Sequence, residues 1–216
     1  MFRIVTLERE FGCGCGRIGS ELARNLGWKL WDQNLTGEIA RRANVDESEV
    51  SLCEERVDSR LYRLAKTFWR GSYERSLPSA GSSAFDTDRM IAVVEEIMRG
   101  IADEGNAVVV GRGAPYFMRG REDTFSVFTY APHDEKMRRL LAMGKSHEEA
   151  EDLLQTVDKE RIAFVKHYFN ADWPSRSLYH LMINTKMGDE RVIETILDTM
   201  RALESRTSEH QMSGIR

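Results

Sequence analysis

Glu8-Arg9-Glu10-Phe11-Gly12-Cys13-Gly14-Cys15-Gly16-Arg17-Ile18-Gly19-Ser20, continued by Glu21-Leu22-Ala23-Arg24-Asn25-Leu26-Gly27, is the stretch that decides the fold class. A short apolar, β-branched run from Phe2 to Leu7 leads into it, and a helical pattern from about Gly16 to Leu26 leads out. Gly27 stands where a helix end takes a left-handed residue. Alternating glycines free backbone N–H groups to converge, and the following helix aims the positive end of its dipole at the same place. That combination is an anion site between a strand and a helix. The plainer alternative is a tight turn that uses the same glycines.

Two sharper motifs fit poorly. Gly14-x-Gly16-x-x-Gly19 matches the dinucleotide fingerprint, which needs an acidic residue about 20 positions on to hold the ribose. Asp32 closes the second strand pattern only thirteen residues after Gly19, and the intervening helix is short. The strict phosphate loop needs lysine directly after its last glycine. Gly14 and Gly19 have that spacing, but Ser20 follows. Any positive charge on a bound phosphate must come from another residue.

Outward from the loop, strand and helix patterns alternate. Trp28 to Trp31 reads as a second strand ending at Asp32, and Leu35 to Trp69 favours helix, with Leu61, Leu64, Ala65 and Phe68 at helical spacing. Arg70 to Asp86, rich in Ser and Gly and holding Pro78, reads as a loop. A helix is expected over Thr87–Asp103 and a buried strand over Ala107–Val110, ending in Gly111-Arg112-Gly113. Phe125–Tyr130 is the next strand, closed by Pro132. Helical patterns follow over His133–Met143 and Glu148–Phe169, then a strand at Leu181–Asn184 and a helix over Glu190–Leu203. The tail from Ser205 has no pattern and is expected to fray. Strands separated by helices predict an α/β fold with a five-stranded parallel sheet. In such sheets ligands bind beyond the carboxyl ends of the strands, where the glycine loop, Asp32, Arg112 and the segment after Tyr130 all fall.

Composition bounds the function. The 216 residues suit one domain, with 41% hydrophobic residues for a core and 31% charged residues for a surface. A net charge of -4 argues against bulk electrostatic binding to nucleic acid or anionic membrane, while leaving 31 Lys and Arg to cluster locally. No apolar run approaches the ~20 residues of a membrane span, and the first residues lack the pattern of a secretion signal. The expected setting is cytoplasmic, and three cysteines do not suggest a disulfide framework. Cys13 and Cys15 lack the partners of a metal site and read as small residues in a tight loop. His133, His147, His167, His180 and His210 show no pairing of a nucleophile or metal centre.

The chain resembles the cytidylate kinase-like proteins, a branch of the phosphate-loop nucleoside monophosphate kinases. The resemblance rests on Arg9 through Gly19, Leu22 through Trp28, Val109 through Ala114, Tyr130-Ala131-Pro132 with its basic helix, Asp158 through Arg161 and Ile183-Asn184-Thr185, in that order from Phe2 to about Leu203. It implies one domain over 1–205 with helices on both faces of the sheet. It also implies an acceptor-binding insertion at 33–90, a small lid at 133–170 and a tail at 206–216. The implied reaction moves the γ-phosphoryl group of ATP, with Mg²⁺, onto CMP, dCMP or a similar small-molecule nucleotide.

The same resemblance implies roles. Arg9, Gly12, Cys13, Gly14, Cys15, Gly16, Arg17 and Ile18 would hold the ATP phosphates. Cys15 falls at the lysine position and Arg17 where the related kinases usually have threonine, so Arg17 is the candidate replacement charge, with Arg9, at a loop-glycine position, as a second. On spacing alone a solvent-facing Arg17 fits equally well. Lys136 and Arg139 share a helix face after the fourth strand and would clamp the transferring group, against the alternative of a solvated basic face that includes Arg138. Arg112, whose planar fork suits phosphate, would hold the acceptor together with Asp158 and Arg161. The alternatives there are an arginine paired at the sheet rim and an ordinary surface ion pair. Asp32 would hold a Mg²⁺-bound water or the acceptor. Tyr168, Phe169 and Trp173 read as packing first and base stacking second. No general base is required, because phosphoryl transfer relies on positioning and charge neutralisation. Two rival functions share the fold: a nucleotide-binding module without catalysis, and a kinase for another phosphorylated metabolite.

Overall fold

A computed structural model describes residues 1–32, Leu35, Glu38 and 87–213. The expectations for Leu35–Trp69, for the loop at Arg70–Asp86 and for most of the insertion at 33–90 lie outside the described residues. The described elements run β1 (Ile4–Arg9), α1 (Cys15–Leu26), β2 (Lys29–Trp31), α2 (Thr87–Glu104), β3 (Ala107–Val110), α3 (Ala114–Phe117), β4 (Thr124–Tyr130), α4 (His133–Ala142), α5 (His147–Phe169), β5 (Leu181–Asn184) and α6 (Asp189–Ser213). Short 3₁₀ turns at Arg176–Leu178 and Thr185–Met187 flank β5.

All five strands are parallel, in the order β2-β3-β1-β4-β5. β1 lies at the centre, so it reads as a buried run on both faces. Its alternation splits the core in two. Ile4, Ala107, Val109 and Phe128 face a layer containing α2 and the end of α5, with Val94, Ile97, Met98, Phe164 and Trp173. Val5, Leu7, Val108, Val110, Phe125 and Val127 face α1 and α6, through Ile18, Leu22, Val192 and Ile196. Helices therefore cover both faces of the sheet, and burying each large side chain contributes roughly 1.5–3 kcal/mol. A third, smaller cluster of Phe11, Met137, Leu140, Ala150 and Val157 packs α4 and α5 over the loop after β1.

The sequence pattern placed these elements closely, with three differences. β1 continues past Leu7 to Arg9, because Glu8 and Arg9 pair with Phe128 and Thr129 of β4 and are buried. The one-turn helix α3 follows a left-handed turn and starts with Ala114 and Pro115, too short to show a period. α6 extends to Ser213, beyond the expected end near Leu203. α5 begins with a capping box: Glu149 N–H donates to Ser146 Oγ at 3.1 Å, and Ser146 N–H to Glu149 Oε2 at 2.9 Å.

Candidate active site

The glycine loop leaves the carboxyl end of the central strand. Gly12 (φ +74°) and Gly14 (φ +82°) both hold left-handed backbone, and Gly14 is the residue before α1. The space beside them belongs to α4. A Cβ on Gly12 would come 3.1 Å from Lys136 Cβ, and one on Gly14 would come 3.1 Å from Arg139 Nη1. Gly19 serves packing instead. A Cβ there would lie 2.7 Å from Val110 Cγ2, so glycine lets α1 sit closely on β3.

Arg139 is built into the loop. Its guanidinium donates to the Cys13 carbonyl, to Thr185 Oγ1 at 2.9 Å and to the Thr185 carbonyl at 3.1 Å, and pairs with Glu135 at 3.1 Å. Thr185 Oγ1, buried after β5, donates in turn to the Cys13 carbonyl at 2.7 Å. Lys136 Nζ pairs with Glu10 Oε2 at 2.5 Å on the same stretch of loop. The alternative of a solvated basic face therefore applies to Arg138, which is mostly exposed and paired with Glu135, and not to its neighbours.

Arg17, the candidate replacement charge, lies at the surface. Its side chain is 74% exposed and its Nε is paired with Asp189 in the first turn of α6, a carboxylate that satisfies the charge outside the loop. The cations that stand at the glycine loop are Arg139 and Lys136. Cys15, at the lysine position, is buried in the α1–α6 core layer, where burial pushes its thiol up well above the ordinary range. Burial raises the Cys13 thiol too, and its Sγ lies 3.3 Å from Thr129 Oγ1. Both are free cysteines held as neutral thiols, in keeping with their reading as small loop residues.

Beside the loop lies a cleft walled by Arg9, Arg112, Arg161 and Glu8, with Gly113, Phe164, Val165 and Trp173 completing it. Arg112 sits in the middle of three consecutive left-handed residues, Gly111 (φ +66°), Arg112 (φ +59°) and Gly113 (φ +68°). Holding a non-glycine residue there costs on the order of 1–3 kcal/mol, a strain found chiefly at functional sites. Desolvation by burial pulls the Arg112 guanidinium down to about 9, against the opposing pull of Asp32. Burial, with help from neighbouring Arg9, also lowers Arg161. Arg161 Nη1 donates to the Arg9 carbonyl at 2.8 Å and to Asp158 Oδ1 at 2.9 Å. Asp158 accepts from the Phe11 N–H at 2.9 Å. Through these bonds α5 grips Arg9 to Phe11, the segment that joins cleft and glycine loop. Asp158 and Arg161 thus exceed an ordinary surface pair, since both reach across to backbone far away in sequence.

The residues present do not form a resident metal cage. Among the described residues no group of three or more His, Cys, Asp or Glu side chains converges. Mg²⁺ prefers to keep several waters and to ride on nucleotide phosphates, so it would arrive with ATP. Asp32 is buried at the end of β2 and acts electrostatically on Arg112 and Arg9.

Sequence reading named Thr185 only within a segment of the resemblance and gave no role to it or to Glu8, Glu10 and Asp189, which touch the cations. Thr185 carried one faint signal, a hydroxyl directly after a strand's carboxyl end. The others reveal themselves only through contacts; Arg17 and Asp189, for instance, are 172 positions apart.

An all-parallel sheet in this order, with an anion loop after its central strand and cations leaning in from two helices, defines the phosphate-loop kinase-like fold. The family model described as cytidylate kinase-like matches residues 4–187, and the chain belongs to that family. Among solved structures it is similar to an uncharacterized protein from Eubacterium ventriosum, with a TM-score of 0.67 and 19% identity, over 94% of this chain and 99% of that one. Shikimate kinase from Bacteroides thetaiotaomicron also matches, at TM-score 0.49 and 18% identity over 94% of this chain and 98% of the other. Deoxyadenosine kinase from M. mycoides matches at 0.45 and 12% identity, over 92% and 99%. No curated protein matches. Among the described residues no helix is long and apolar enough to cross a membrane.

Proposed function

We propose that the chain transfers the γ-phosphoryl group of ATP to a nucleoside monophosphate, with CMP or dCMP the leading acceptors. The observation that carries this reading is the pair of neighbouring cationic sites on one loop segment. Arg139 and Lys136 stand over the glycine loop, and Arg112 and Arg161 wall the adjoining cleft. In this reading the loop N–H groups, from Gly12 to Ile18, cradle the donor phosphates together with Arg139. Arg112 and Arg161 hold the acceptor phosphate, and Asp158 fixes Arg161 and the loop. Trp173 and Phe164 offer the acceptor an apolar wall. Mg²⁺ entering with ATP would neutralise charge on the donor. Positioning and charge stabilisation suffice for this chemistry, with no side-chain base in a special state.

The test is ADP formation from ATP and Mg²⁺ with CMP, dCMP, UMP, AMP and GMP supplied separately. Turnover greatest with the cytidine nucleotides supports the reading, and no turnover with any of the five refutes it.

One observation favours a second reading. The loop lacks the lysine and the threonine of the related kinases, with Cys15 and Arg17 in the places the resemblance gives them. A nucleotide-binding module without catalysis would show ATP binding without ADP formation by any acceptor. ADP release with a different phosphorylated metabolite would instead mark a kinase of other specificity.

A further inference from the structure

We infer that Arg9 is a ligand of the arginine cleft, binding the phosphomonoester dianion of the acceptor, and is not a ligand of the donor phosphates. This rests on reading the cleft as the acceptor side.

Arg9 ends β1 at the position where a phosphate loop ordinarily begins with glycine, which would assign it to the donor. Its surroundings place it elsewhere. Only 6% of it is exposed, and its guanidinium lines the cleft alongside those of Arg112 and Arg161. The backbone is shaped around it: a Cβ on Gly111 would overlap its guanidinium, so glycine there keeps the space open. The cations that approach the glycine loop are Arg139 and Lys136, from another helix.

Arg9 also carries an unmet donor in this cleft. Arg161 is bonded to Asp158 at 2.9 Å, and Asp32 acts favourably on both Arg112 and Arg9. Arg9 reaches Glu8 only at 3.5 Å, while the Glu8 carboxylate accepts a closer bond of 3.0 Å from the Arg9 backbone N–H. The Arg9 Nε is buried with no hydrogen-bond partner among the described residues. A buried donor left unmade is unfavourable until a ligand meets it. A phosphomonoester oxygen is a strong acceptor that suits an unmet guanidinium donor in a cleft walled by three arginines.

The test compares the wild-type chain with Arg9→Met and Arg9→Lys by calorimetric titration with inorganic phosphate, CMP, cytidine and ATP, after circular dichroism confirms folding. For Arg9→Met the expected result is a loss on the order of 10- to 100-fold in phosphate and CMP affinity, as for a charge-assisted hydrogen bond. ATP affinity should stay near wild type. Arg9→Lys, which keeps the charge and loses the planar fork, should fall between, and it serves alone if the methionine variant does not fold. Phosphate affinity unchanged in the variants, or no phosphate binding by wild type, overturns the inference. So does a loss confined to ATP, which returns Arg9 to the donor side. If phosphate binding depends on Arg9 but no nucleoside monophosphate binds or turns over, the inference about Arg9 stands and the nucleotide-acceptor reading fails.

Discussion

Cys15, which the resemblance puts at the lysine position of a phosphate loop, is only 3% exposed and packs in one layer with Val5, Leu7 and Ile18. Restoring the lysine should therefore harm the protein. Cys15→Lys would place an ammonium in an apolar layer, at a penalty on the order of several kcal/mol. The expected outcome is a markedly lower Tm with no gain in ATP turnover; a stable, faster variant would show that the loop accepts the usual lysine. Gly19→Ala tests the helix–sheet contact. Its Cβ at 2.7 Å from Val110 Cγ2 should destabilise by about 1–3 kcal/mol in a denaturant melt, and an unchanged midpoint would contradict the close packing. At this scale the sequence revealed which residues are unusual more readily than what they touch. Arg112 is conspicuous between two glycines, and the structure explains those glycines by a run of left-handed backbone. Arg17 and Arg139 look equally available in sequence; only the fold shows Asp189 beside one and the Cys13 carbonyl beside the other.

At the scale of elements, the junction of β4 with the start of β5 carries a pH-sensitive contact. His180 Nδ1 accepts from the Ser126 N–H at 3.0 Å, and its ring stacks on Phe125. Desolvation by burial lowers its pKa, so the folded chain resists protonation there. The unfolded chain takes up that proton near pH 6.5. Above that pH neither state is protonated and the contribution is constant. As pH falls below about 6.5 toward the folded value, the unfolded state binds more protons and stability drops. Thermal melts from pH 7 to 5 should show a steeper loss for wild type than for His180→Asn, which keeps an acceptor but cannot titrate; parallel slopes would contradict this. At the start of α5, Ser146→Ala should cost about 1 kcal/mol by removing the cap, measurable as a lower denaturant midpoint; no change would mean the capping box contributes nothing. Long periodic segments such as α1, α5 and the core strands were legible because alternation and the 3.6-residue period leave a strong trace. The end of β1 was not, because Glu8 and Arg9 look like turn residues until β4 and the cleft enclose them.

At the scale of the whole molecule, the parallel order β2-β3-β1-β4-β5 brings the glycine loop, the Gly111–Gly113 turn and Thr185 to the same end of the sheet. α4 and α5 then close over that end, sealed by the cluster of Phe11, Met137, Leu140, Ala150 and Val157. The number of strands and the rule that ligands gather at their carboxyl ends followed from sequence alone. The closed seat of α4 on the loop did not, since it depends on residues more than a hundred positions apart meeting in space. In the proposed function this seat answers a loop without lysine, with Arg139 on a neighbouring helix supplying the charge.

The most direct test is the rate of ADP formation from ATP and Mg²⁺ with the best nucleoside monophosphate, measured for wild type, Arg139→Ala and Arg17→Ala. Losing a preorganised charge at the transferring group should lower kcat by roughly 10²–10³ in Arg139→Ala. Arg17→Ala removes an exposed ion pair and should stay within about fivefold of wild type. A collapse in Arg17→Ala with Arg139→Ala near wild type would contradict the account.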